Sequence, residues 1–82
     1  MAEIVKLLGS EIALSTANTV GTASVVRIYN NTAGAVLITR AASGSTVGTL
    51  TMGAGEIIYL QKASSDTLAS NAAVRAVSVA FN

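Results

Sequence analysis

The chain contains no cysteine, no histidine and no proline, and its aromatic side chains are Tyr29, Tyr59 and Phe81 alone. Without cysteine there is no disulfide and no thiol redox chemistry. Without histidine as well, a zinc site of the usual kind is excluded, and so is a nucleophile activated by imidazole. Charge is scarce too: 11% of residues are charged, against about 25% in an ordinary soluble domain. The net charge of +1 supplies no basic field to hold a phosphate backbone, so no nucleic-acid partner is expected. Proline and lysine are the residues that most often blunt exposed sheet edges, and here the first is absent and the second rare.

Those absences share a consequence. A bland surface near zero net charge favours self-association, so much of this surface is expected to be covered in the working state. At 82 residues the chain suffices for one modest core. Domains near this size draw only about 3–5 kcal/mol from the core and many lean on partners. Every apolar run is broken well short of the ~18 residues of a membrane span. The opening Met1–Leu8 has no basic segment before its apolar residues, so no signal peptide and no membrane role are expected.

What is present is a series of short strands punctuated by turns. Thr49–Met52 alternates, with Leu50 and Met52 to one face. Gly53-Ala54-Gly55 supplies the positive φ of a tight reversal, and Ile57–Leu60 returns as a strand apolar on both faces. These two segments are expected to form a hairpin, with the second strand inside its sheet. Val26 and Ile28 face one way and Val25, Arg27 and Tyr29 the other. Asn30-Asn31-Thr32-Ala33-Gly34 then turns the chain into 35–40, again read as a hairpin. The same turn accounts for the glycosylation-like Asn30-Asn31-Thr32. Ala41–Ser45, Ala63–Asp66 and Asn71–Ala73 are further turns, with an Asx-type bond expected at Asp66. In the last strand, 74–81, Val77, Val79 and Phe81 share a face with Arg75. Val74, Ala76, Ser78 and Ala80 leave the other face small enough for close approach of another sheet or another subunit. Turns every 8–12 residues or so predict an all-β fold, a small antiparallel sandwich or barrel of about six to eight strands.

The N-terminal segment is less regular. Ile4, Leu7, Leu8 and Ile12 could share a helical face, but Gly9-Ser10 stops it after about one and a half turns. An extended arm or edge strand is therefore expected, with a polar loop or loose strand over 15–23. Residues 1–23 are set apart from a sandwich domain over 24–82. The arm is either an ordinary first strand or a segment that adds to a neighbour's sheet. Removing residues 1–14 is expected to leave a folded sandwich that cannot dock, and an unfolded product would make the segment a core strand.

No constellation supports catalysis. Glu3, Glu11, Glu56 and Asp66 are the only carboxylic side chains, and all fall at strand starts and turns. Gly44-Ser45-Thr46 lacks the lysine of a phosphate loop, and Gly53-Ala54-Gly55 leads into a strand. No cofactor or metal is expected. Arg27, Arg40 and Arg75, with Tyr29 and Tyr59 nearby, either stand on the solvent face or pair with Glu56 and Asp66, or are anchors of an interface, where Arg and Tyr are favoured.

Val26-Arg27-Ile28-Tyr29-Asn30-Asn31, Gly55-Glu56, Lys62–Leu68 and Val77-Ser78-Val79-Ala80-Phe81 together resemble the small all-β virion proteins of tailed bacteriophages, especially those of marine cyanobacterial phages. The likeness spans residues 24–82. It implies a non-enzymatic structural component, preferably a capsid decoration (cement) protein, with a head or tail fibre subunit as the alternative. A generic β-sandwich module that binds carbohydrate or protein is the other reading. The implied partners are the major capsid protein, other virion proteins and further copies of the chain, a trimer favoured, on the capsid surface of a virion assembled in the host cytoplasm. The implied interface candidates are Ile4, Val5, Leu7, Leu8, Ile12, Arg27, Tyr29, Arg40, Tyr59 and Arg75.

Overall fold

The computed structural model describes residues 5–81 and, for side chains, residues 6–80. Eight antiparallel strands make up these residues: β1 (Val5–Leu7), β2 (Ile12–Leu14), β3 (Val25–Tyr29), β4 (Val36–Ala42), β5 (Ser45–Met52), β6 (Ile57–Gln61), β7 (Thr67–Ser70) and β8 (Val74–Phe81). They form a small sandwich. The larger sheet runs β1-β8-β3-β6, with β2 also on β8, and the smaller runs β5-β4-β7. The alternation read from the sequence holds where one face is buried. Val26, Ile28, Val74 and Ala76 face Val36, Ile38, Met52 and Leu68 across the core, all at 4% exposure or less. The small side chains of β8 permit this close approach of the layers.

Two expected hairpins are arches instead. β3 and β4 lie in different sheets, and so do β5 and β6. The physical reason is Asn30, which is fully buried. Its Nδ2 donates to the carbonyls of Gly34 (2.9 Å), Met52 (3.2 Å) and Gly53 (3.0 Å). Its Oδ1 accepts from the Thr32 amide (3.0 Å) and hydroxyl (2.6 Å). The Asn30 backbone bonds the Glu56 carbonyl and the Gly55 amide, each at 2.9 Å. One amide side chain thus ties both inter-sheet crossings together at the same end of the sandwich. The genuine hairpin is β4–β5, closed by Ser43 (φ 51°) and Gly44 (φ 82°), the pair of positive φ values of a type I′ turn. β6 is also corrected: it is an outer strand, paired among the described residues only with β3, and its Ile57 and Tyr59 are exposed.

Residues 5–14 are one broken edge. β1 and β2 both run along β8, pairing Leu7 with Val79 and Ile12 with Ala76. Three β8 positions separate those partners against five on the edge, so Leu8–Glu11 bulge out. Leu14, Val20 and Ala23 join the main core, so the sandwich includes the N-terminal segment from β1 onward.

Val20, Gly21 and Thr22 take φ of 54°, 68° and 54° in succession, a single left-handed turn closed from the Ala23 amide to the Thr19 carbonyl at 3.4 Å. Such φ costs a non-glycine residue about 1–2 kcal/mol. Val20 is held there by its burial in the core and by Asn18 Oδ1, which accepts from the Val20 amide at 2.7 Å. Thr22 is exposed, so its strain buys no packing. Thr22→Gly is expected to gain about 1 kcal/mol, less the glycine's extra unfolded freedom. That raises Tm by roughly 2–6 °C, measurable by thermal melts.

Candidate docking face and the open seam

The register of the larger sheet places Arg75, Tyr29 and Ile57 in one cross-strand row and Val77, Arg27 and Tyr59 in the next. Alternation aims all six away from the core. Four residues singled out in the sequence, Arg27, Tyr29, Tyr59 and Arg75, therefore share the outer face. Leu7 (70% exposed) and Ile57 (46%) flank them. Arg27 lies 3.6 Å from the Glu11 carboxylate and 6.0 Å from the centre of the Tyr29 ring. Both contacts are half-exposed and worth at most about 1 kcal/mol each. A shallow groove beside the guanidinium is lined by Leu7, Gly9, Glu11, Arg27, Tyr59 and Val77. Arg75 is exposed and has no ion-pair partner among the described residues. Ringed by apolar side chains, such a face suits a partner that offers a carboxylate and apolar surface.

The other sequence candidates are dispersed. Leu8 is exposed on the bulge between β1 and β2, and Ile12 packs half-buried against the core. The Val5 backbone pairs with Phe81, its side chain lies outside the described set, and Ile4 lies outside the described residues. Arg40 belongs to a separate polar corner. Its Nε and one terminal nitrogen both lie 2.8 Å from Oδ2 of the buried Asp66. That oxygen also accepts, at 3.3 Å, from the Ala63 amide three residues earlier, whereas the Leu68 amide that an Asx-type bond would use donates to the Asn18 carbonyl. The corner is structural.

Lys62, which entered the sequence analysis only within the stretch Lys62–Leu68 and with no role of its own, is buried beside this corner. Its Nζ donates to the carbonyls of Ala23 (2.6 Å), Ala63 (3.3 Å) and Ser64 (3.3 Å). Desolvation pulls its pKa below the ordinary 10.5. The Arg40 charge acts in the same direction and Asp66 against it. Between the folded and the unfolded pKa, the unfolded chain holds the extra proton, so stability rises with pH across that window. Lys62→Met is expected to abolish this alkaline rise. Urea midpoints of both proteins at pH 8 and pH 10 measure it.

The two flanks of the sandwich differ. On one, residues 15–18 seal β7: the Ser70 amide donates to Ser15 (2.9 Å), and Asn18 and Leu68 exchange bonds of 2.9 and 2.8 Å. On the other, β5 and β6 stand apart around a cleft of about 170 Å³ lined by Ile38, Arg40, Gly48, Thr49, Leu50, Leu60 and Gln61. Leu50 points toward the core side, opposite Ile38, yet is 40% exposed, because no described residue closes the layers there. Every residue of β5 from Ser45 to Thr51 is exposed. Among the described residues no group of three or more Asp and Glu side chains is placed to hold a metal ion. Compared with known proteins, the chain has no significant match to any family model, curated protein or solved structure.

Proposed function

We propose that this protein is a non-enzymatic structural subunit of a phage virion, of the capsid decoration type, that works by docking. The observation that carries the reading is the gathering of Arg27, Tyr29, Tyr59 and Arg75 on one outer sheet face between exposed Leu7 and Ile57. Arg and Tyr dominate binding energy at interfaces because each presents a broad planar surface with polar groups at its end. A shell presents the same epitope many times, so a modest contact per copy suffices when neighbouring subunits also bind each other. The virion assignment itself comes from the sequence resemblance over residues 24–82.

Sedimentation with emptied phage heads tests it. The expected result is a fixed number of copies per shell. Arg75→Glu and Tyr59→Ala should reduce that occupancy about tenfold or more while leaving the far-UV circular dichroism unchanged. Heads that sediment without the protein would overturn the reading.

A further inference from the structure

We propose that β5 is a self-pairing edge, joining two copies of this chain antiparallel across a two-fold axis at Thr49. This deepens the assembly reading, on which it rests, by naming a second copy as the occupant of the open flank. The backbone fixes which groups face outward. The Asn71 amide donates to the Leu37 carbonyl, so Leu37 and Thr39 turn their backbone toward β7. Ile38 and Arg40 therefore turn theirs toward β5, where they meet Leu50 and Gly48. That leaves the amides and carbonyls of Thr49 and Thr51 directed away from β4, and no other strand among the described residues pairs with β5.

Three features suit this edge to its own copy. A two-fold axis sets a central residue against itself, so any charge there repels. Residues 41–55 contain no charged residue and no proline. With Thr49 on the axis, Thr49 meets Thr49 in a hydrogen-bonded pair, and Leu50 of each copy lies opposite Gly48 of the other. The space over Gly48 is open, with no atom within 4 Å of where a Cβ would sit, and the half-exposed Leu50 is the side chain that fills it. Thr49 and Leu50 also line the cleft with Leu60 and Gln61, so pairing at β5 carries the second copy over the gap between the layers. Val47, the unpaired residue of the bulge between Thr46 and Gly48, lies near the end of the paired stretch and 53% exposed. The assembly this edge builds is a two-fold pair, not a three-fold ring.

The chain has no native cysteine, so single thiols report the register directly. In sedimentation equilibrium at high micromolar concentration the protein should have the mass of two chains. Mild oxidation should link Thr49→Cys to itself. Thr51→Cys should stay unlinked, because its two copies lie roughly 14 Å apart, beyond disulfide reach. Thr49→Lys and Thr49→Asp should each weaken the dimer about tenfold or more through like charge on the axis, and mixing the two should restore it. Both variants alter an exposed side chain, and circular dichroism checks that they fold. A monomeric or three-chain wild type, equal linking of both cysteine variants, or no rescue on mixing would overturn the proposal. Head binding separates the two claims: a monomer that still decorates heads sinks the β5 edge alone. A Thr49-linked dimer that ignores heads sinks the virion reading alone.

Discussion

Asn30→Asp is expected to cost about 3 kcal/mol or more at neutral pH and to recover part of that loss as the solution is acidified. In the native protein the Asn30 amide nitrogen faces three carbonyl oxygens, those of Gly34, Met52 and Gly53. A carboxylate offers them no donor and places negative charge among acceptors in a fully buried position. Each unsatisfied buried group costs about 1–3 kcal/mol, and the buried charge adds to this. Burial and the facing carbonyls both raise the folded pKa of the introduced carboxyl above its unfolded value. The folded state then binds the extra proton, so stability climbs as pH falls through the folded pKa, where the protonated acid regains one donor. Asn30→Ala should lose about 2–3 kcal/mol without that acid recovery. Urea titrations from pH 4 to pH 8 distinguish the two, and an aspartate variant as stable as the parent at pH 7 would remove Asn30 from its place as the tie between the sheets.

The second large effect lies at the N-terminal edge. Leu14→Ala is expected to cost about 3 kcal/mol and to lower Tm by roughly 12–24 °C. Leu14 is 1% exposed and packs in the main core, at the end of the strand that covers the first half of β8. Against a core worth about 3–5 kcal/mol, that loss leaves little margin. Removal of residues 1–14 is correspondingly expected to unfold the domain, the reverse of what a detachable docking arm would do. A cooperative melt near the parent Tm after truncation would restore the arm.

Period-two patterning made β3, β8 and the layer they form legible, because one face of each is buried and every second residue reports it. Alternation also showed that Arg27 shares a face with Tyr29 and Arg75 one with Val77, but only the pairing of β3 with β8 joins those into a single outer face. Turn chemistry was less informative. Asn30-Asn31-Thr32 and Gly53-Ala54-Gly55 announce that the chain reverses, and they say nothing about whether it returns in the same sheet. What decides that is the burial of Asn30, a contact between segments 22 residues apart. The continuous apolar run of β6 suggested an interior strand, whereas Ile57 and Tyr59 are exposed on an outer strand. The burial of Lys62 was not legible because its shortest bond goes to the Ala23 carbonyl, 39 residues away, and the left-handed turn at Val20–Thr22 has no composition signal beyond Gly21. The β5 edge was foreshadowed by what it lacks, charge and proline, while its register required the pairing of β4 on both sides.

Backbone amide hydrogen exchange at β5, compared between dilute and concentrated protein, tests most directly whether this sandwich works by covering its open flank. The outward amides of Thr49 and Thr51 should exchange rapidly in dilute solution and become protected as concentration rises, while Leu50, bonded to β4, stays slow throughout. Rapid exchange of Thr49 and Thr51 at every concentration, in an assembly whose mass nonetheless exceeds one chain, would place the contact elsewhere and contradict the account.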